Sequence, residues 1–209
     1  MADTFAESMT KTQTYFTNNV LPILKGFCSL GYKCKFVEIE GHAENEITKD
    51  FDIYAGIDVY QVRYDTSTMI GIASRIQYTT TMWGTFTVRR SRESGAQTEY
   101  AKRKYAIEHS LLYPKLTMQA YILPEKTVLG LVSTCELIRY IDEFNPPVQY
   151  TSKSQKGQAS FFVCDWQEMR KCGINVTLIT EKDCKCVATW LTADGVEVNK
   201  EFSIEKLCA

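Results

Sequence analysis

Two neighbouring extended runs constrain this chain more than any other feature. The first, Ile53–Tyr64, carries one carboxylate within Ile57-Asp58-Val59. The second, Met69–Tyr78, reads Ile70-Gly71-Ile72-Ala73-Ser74-Arg75-Ile76-Gln77, and Asp65-Thr66-Ser67-Thr68 between them suits a hairpin connection. Side chains alternate along a strand, so Asp58 and Tyr60 are expected on one face, with Ile57 and Val59 on the other. On the second run Ala73, Arg75 and Gln77 share a face, opposite Ile72, Ser74 and Ile76. If the runs pair, Arg75 and Gln77 reach the side of Asp58. A carboxylate at a strand centre is expensive to bury unless it meets a cation or a metal. Two uses stay open: an ordinary Asp58–Arg75 ion pair near a sheet edge, or a site that holds a divalent metal beside a phosphate.

The segment that follows is basic. Residues 86–104 hold Arg89, Arg90, Arg92, Lys102, Arg103 and Lys104 against Glu93 and Glu99, in a chain whose formal net charge is −1. No global field therefore draws the protein to nucleic acid or to a membrane surface, and any such attraction is local. Basic side chains interleaved with Trp83, Phe86 and Tyr100 suit a phosphate backbone and stacked bases. A solvated helix face with basic strand ends is the plainer account of the same residues.

The rest of the chain organises readily. Phe5, Met9, Phe16, Val20, Ile23 and Phe27 mark one face of a helix that Pro22 should kink or restart. Lys33–Glu40 alternates like a strand, and Glu38 to Asp52, with six acids and one lysine, reads as a mobile acidic loop. Met82–Arg90 is a further strand. Thr98 is a suitable N-cap, with Glu99 in the first turn of a helix expected to run to about Tyr113 and stop at Pro114. Strands follow at 116–123 and 127–133, then a helix over 134–144 ended by Asn145-Pro146-Pro147. Ser160–Cys164 is a buried strand leading into a helix at Trp166–Cys172, and strands close the chain at 174–180, 186–192 and 196–202.

This order, together with the "GID" of Gly56-Ile57-Asp58, the "IASRIQ" of Ile72–Gln77 and the "TEYAKR" of Thr98–Arg103, resembles the core of the PD-(D/E)xK, or restriction-endonuclease-like, nucleases over residues 5–123. The resemblance implies that Asp58 is the motif aspartate. Arg75, 17 residues on, takes the lysine position, and Ala73 the second acidic position. Ala73 offers no ligand and Arg75 stays charged, so it can neutralise a phosphate but is no base. A relocated acid would come from Glu99, Glu38, Glu40 or Glu7. Magnesium often takes only one or two carboxylates plus waters and phosphate, so Asp58 and Glu99 are the expected Mg²⁺ ligands. Gln77 would position a water or the metal.

Other chemistries are weaker. Eight cysteines include no C-x-x-C. A zinc site from Cys164, Cys172, Cys184 and Cys186 rests on an unusual C-x-C spacing, and buried free thiols are the better reading. Neither His42 nor His109 has a context that aims it at a thiol. No glycine-rich phosphate loop and no G-x-S-x-G is present. The start of the chain has no basic and apolar leader, and no apolar run is long enough to span a bilayer, so the expected localisation is cytoplasmic.

The expectation is thus a single α/β domain over 1–209, with a mixed, mainly antiparallel central sheet flanked by helices. Its restriction-endonuclease-like core would lie within 5–123, and 124–209 would complete sheet and core. The leading function is metal-dependent cleavage of nucleic acid by Asp58, Arg75, Gln77 and Glu99, with Arg89, Arg90, Arg92, Lys102 and Arg103 on phosphates. The alternative is an inactive nucleic-acid-binding or protein-interaction module of the same fold, such as a phage or mobile-element accessory protein. Nucleic acid is the expected partner, a homodimer is a further option, and a membrane is not expected.

Overall fold

The computed structural model describes residues 12–39, 55–151 and 158–205. The acidic segment beyond Ile39 lies outside the described residues as far as Tyr54, as do Glu7 and Glu40. The N-terminal helix widens into a π-helical turn at Phe16–Val20 before continuing as α1, Leu21–Ser29. Pro22 explains the change of register. It has no N–H for the carbonyl one turn back, and the Leu21 N–H reaches Phe16 O instead.

Eight strands form one sheet in the order β1 (Cys34–Glu38), β2 (Val59–Arg63), β3 (Thr68–Tyr78), β5 (Leu116–Ile122), β6 (Thr127–Ser133), β9 (Thr177–Lys182), β10 (Lys185–Leu191) and β11 (Glu197–Ser203). Every neighbouring pair is antiparallel except β3 and β5, which run parallel with Arg75 beside Gln119. The mixed, mainly antiparallel sheet expected from the sequence is therefore present, and residues after 124 supply half its strands. The strand expected at Met82–Arg90 is present as β4 (Thr85–Arg92), but outside the main sheet: it pairs with β8 (Ala159–Asp165), which also pairs with β7 (Val148–Tyr150), to make a separate three-stranded sheet. A parallel β3–β5 pair requires a crossover, and β4 with α2 (Glu99–Glu108) provides it.

The central strands are covered on both faces, which is why β6 reads Thr-Val-Leu-Gly-Leu-Val-Ser with little alternation. One face carries Ile72, Met118, Ala120, Leu129 and Ile179 against Phe16, Val20, Ile23 and Leu24. The other carries Tyr121, Val128 and Val132 against α3 (Thr134–Phe144), α4 (Trp166–Lys171) and the small sheet, through Leu137, Ile141, Phe86, Phe162 and Trp166. α3 ends where Asn145 turns left-handed, φ 45°, just before the two prolines. α2 stops sooner than expected, at Glu108, because Ser110 takes φ 54° and Leu111 N–H closes back on Ala106 O.

The cysteines divide between environments. Cys28 and Cys34 form a disulfide, which corrects the expectation of free thiols for this pair. Cys186 on β10 and Cys164 on β8 of the small sheet are buried in the two separate core clusters, so the four-cysteine zinc arrangement does not assemble. Burial pushes the Cys164 thiol up to about 12, which removes it as a nucleophile.

Gly130 is where the two layers lock. A Cβ there would lie 2.5 Å from the Trp166 indole, far inside contact distance and against a fully buried ring. Gly130→Ala should therefore destabilise the protein by about 1–3 kcal/mol through overpacking. Denaturant unfolding would show it as a lower midpoint at unchanged slope, and an unaltered midpoint would disprove the close packing.

Candidate functional site: a basic cavity between the two sheets

Asp58 sits just before β2 rather than at the centre of a strand. Its backbone nonetheless continues the ladder, with Asp58 N–H donating to Ile72 O and Ile39 N–H donating to Asp58 O. Ile57, fully buried, packs with Tyr60 and Ile39 and crosses over Gly71, where a Cβ would lie 2.8 Å from it. Ile57 therefore does not share the cluster of Val59, contrary to strict alternation; regular strand begins only at Val59. Fixed in this way, Asp58 accepts a 2.5 Å hydrogen bond from Ser74 N–H on β3 through Oδ2.

One turn of α2 delivers the rest. Thr98 caps the helix, accepting from Ala101 N–H, and donates to Arg90 O, which ties the helix start to β4. Glu99, Lys102 and Arg103 then fall at i, i+3 and i+4 and share one face. The buried residue of α2 is Arg103, only 9% exposed. A helix that turns an arginine inward is built around a polar site, not a hydrophobic core. Burial lowers the affinity of Arg103 for its proton, and the carboxylates of Glu99 and Asp58 counteract this, with Arg75 adding repulsion.

These elements enclose a cavity of about 370 Å³ lined by Asp58, Ala73, Arg75 and Ser74 from the β2–β3 side, Thr87 and Arg92 from β4, Glu99, Lys102 and Arg103 from α2, and Thr117 and Gln119 from β5. Arg75 is its hub. Its Nη2 donates to Glu99 Oε1 at 2.6 Å and its Nη1 to Thr87 Oγ1 at 3.2 Å. Glu99 Oε2 accepts from Arg89 N–H at 3.2 Å. Both partners of the Arg75–Glu99 pair are more than a quarter exposed, so the pair stabilises the fold by no more than about 1 kcal/mol. It orients the site more than it holds the fold.

Asp58, Arg75 and Glu99, expected to act together, thus line one cavity, along with Arg92, Lys102 and Arg103. Asp58 and Arg75 are not the direct ion pair considered from the sequence, because Arg75 is engaged by Glu99. Gln77, Arg89 and Arg90 do not line the cavity. Gln77 points its Oε1 into a buried position without a partner. Arg89 lies over Phe161, with Arg75 also over that ring, and Arg90 lies over Phe162. Lys104 turns away to Asp142. Of the aromatics, Phe86 is fully buried where it borders the cavity, Tyr100 bonds to Asp142, and Trp83, 55% exposed, packs edge-on against Tyr121. Glu38, another candidate acid, borders a separate cleft of about 20 Å³ with Asp58.

Gln119 is the residue that strand reading passed over. It is 1% exposed and its Oε1 accepts from Thr87 Oγ1 at 3.3 Å, which leaves Nε2 as a buried donor with no partner. Such an orphan costs about 1–3 kcal/mol. The available signal was an amide alternating with Thr117 on a strand otherwise apolar, at the position beside Arg75 across the parallel pair.

The described residues make a poor cradle for a resident divalent ion. Among them no group of three or more His, Cys, Asp or Glu side chains converges. Two carboxylates line the cavity, and both oxygens of Glu99 and one of Asp58 already accept hydrogen bonds. Among the described residues four cations, Arg75, Arg92, Lys102 and Arg103, line the same cavity. Comparisons with protein families, with curated proteins and with solved structures return no match.

If Arg103 serves a ligand and not the fold, Arg103→Met should leave stability unchanged or raise it by about 1 kcal/mol, since a buried charge is often replaced by an apolar side chain without loss. Thermal or denaturant unfolding measures this. A loss above about 3 kcal/mol would mean that the guanidinium holds the structure together.

Proposed function

We propose that this chain binds nucleic acid, with a phosphate seated among Arg75, Arg92, Lys102 and Arg103. One observation carries the reading. In a chain of net charge −1, cations from three separate elements, Arg75, Arg92, Lys102 and Arg103, converge on one cavity, and Arg103 is buried there. Phosphate binding to such a cluster releases counterions.

Phosphodiester cleavage at the same cavity is the second reading. It is favoured by the shared cavity of Asp58, Arg75 and Glu99, the residues joined by the PD-(D/E)xK resemblance. In this reading Mg²⁺ would arrive with the substrate, whose phosphate supplies ligands that the protein lacks. Arg75 would stabilise charge developing on the phosphate. A restriction-endonuclease-like core is consistent with the run of α1, three antiparallel strands, α2 and a strand parallel to the third, with β4 inserted before α2.

Both readings are tested with labelled single-stranded and duplex oligonucleotides, first without metal and then with Mg²⁺ or Mn²⁺. Binding should fall with salt, with a logarithmic slope of roughly −0.7 for each phosphate neutralised on a single strand. Arg75→Ala and Lys102→Ala should each weaken binding about tenfold, on the order of 1.4 kcal/mol. Glu99→Gln separates the readings. It should strengthen metal-free binding severalfold by releasing Arg75 and removing a repelling charge, yet abolish cleavage if cleavage occurs, as Asp58→Ala would. Absence of salt-dependent binding to any oligonucleotide would contradict both and leave a protein-interaction role.

A further inference from the structure

Resting on the nucleic-acid reading of the cavity, we infer that Trp83 is a stacking platform for an unpaired base. Single-stranded nucleic acid is then the preferred ligand and duplex the poorer one.

Trp83 is 55% exposed, whereas Trp166 is fully buried and Trp190 packs into the core on the other face of the main sheet. Its surroundings nevertheless hold it firmly. The rings of Trp83 and Tyr121 meet at 62°, centroids 6.0 Å apart, and among the described residues no ring stacks face to face on the indole. Tyr121 is itself clamped: its hydroxyl donates to Thr85 O at 2.9 Å and accepts from Thr85 N–H at 3.3 Å. Between Trp83 and Thr85, Gly84 turns at φ 61°, and its carbonyl accepts from the Trp166 backbone N–H at 2.9 Å. A tryptophan anchored in this way loses little freedom when a flat ligand settles on it. Every base presents a π-face suited to that role.

Trp83 also lies on the cavity's side of the main sheet. Thr117, Gln119 and Tyr121 follow at two-residue steps along β5 and share a face, and the first two line the cavity. The partner of Tyr121 on β3 is Gln77, half-buried and two residues beyond Arg75. Arg75 and Gln77 thus make a polar rank leading from the cavity toward Trp83. Trp83 is four residues from Thr87, another lining residue, a separation of at most about 14 Å in extended chain. A strand with one phosphate in the cavity covers that distance within about four nucleotides, even at the roughly 3.4 Å per nucleotide of a duplex strand. The run Tyr78–Gly84 carries no charged residue, so it places no carboxylate against the phosphates. Inside a duplex the bases stack on one another and offer no free face to the indole.

The test titrates the full chain at pH 7.5 without metal. It uses a thymidine oligonucleotide, an abasic strand with the same number of phosphates, and a duplex, followed by anisotropy of the labelled nucleic acid and by tryptophan emission. The thymidine strand should bind about tenfold more tightly than the abasic one and should quench the emission. The abasic strand and the duplex should leave the emission unchanged. Trp83→Ala should bring the two single strands to equal affinity and abolish the quench. Trp83→Phe, which keeps a π-face, should retain a severalfold preference without the quench, and it serves as the deciding variant if thermal unfolding shows that the alanine variant does not fold. Equal affinity of the native protein for the thymidine and abasic strands, with unquenched emission, would overturn the stacking inference alone. Tighter binding of the duplex, or a quench that survives Trp83→Phe, would do the same. No salt-dependent binding of any of the three would overturn the nucleic-acid reading on which the inference rests.

Discussion

The architecture of the site depends on the parallel pairing of β3 with β5. It is the one parallel contact in the main sheet, and it obliges the chain to leave the sheet and come back on the same side. β4 and α2 are that excursion. They place Thr87, Arg92, Glu99, Lys102 and Arg103 over the polar face of β3 and β5, where Arg75 and Gln119 lie side by side. An antiparallel continuation from β3 would have needed only a hairpin, and the roof of the cavity would not exist.

Electrostatics then decides what the cavity can hold. Arg75 divides its guanidinium between Glu99 and Thr87, and the threonine passes that orientation to the Gln119 amide. The same pair makes Glu99 a competitor for the cation a ligand needs, so affinity and organisation pull against each other at one carboxylate. Arg103 shows the same compromise. Its burial weakens the charged form, and only the nearby acids offset the loss.

Much of this was legible from residue order. The hairpin of β2 and β3 put Arg75 on the Asp58 side because period-two alternation leaves little choice, and Thr98 marked the start of α2 because its hydroxyl suits a free N–H. The strand and helix runs after Leu116 lie within a few residues of their expected places, since turn residues and Asn145-Pro146-Pro147 bound them sharply. Sheet membership was hidden: β4 is apolar enough for the central sheet, and only tertiary pairing with β8 shows otherwise. So was the division of the basic residues. Arg89 and Arg92 lie on the same short strand, yet a register shift between Arg89 and Ser91 separates their surroundings, and no local pattern announces a bulge. Gln119 escaped notice because its meaning comes from Arg75 across the parallel pair, a contact far away in sequence.

The most direct test is a crystal structure with a short oligonucleotide bound. A phosphate is expected in the cavity, within hydrogen-bond reach of the Arg103 guanidinium, with Arg75 drawn toward it from Glu99. A bound strand lying elsewhere, with Arg75 still on Glu99, would contradict the nucleic-acid reading.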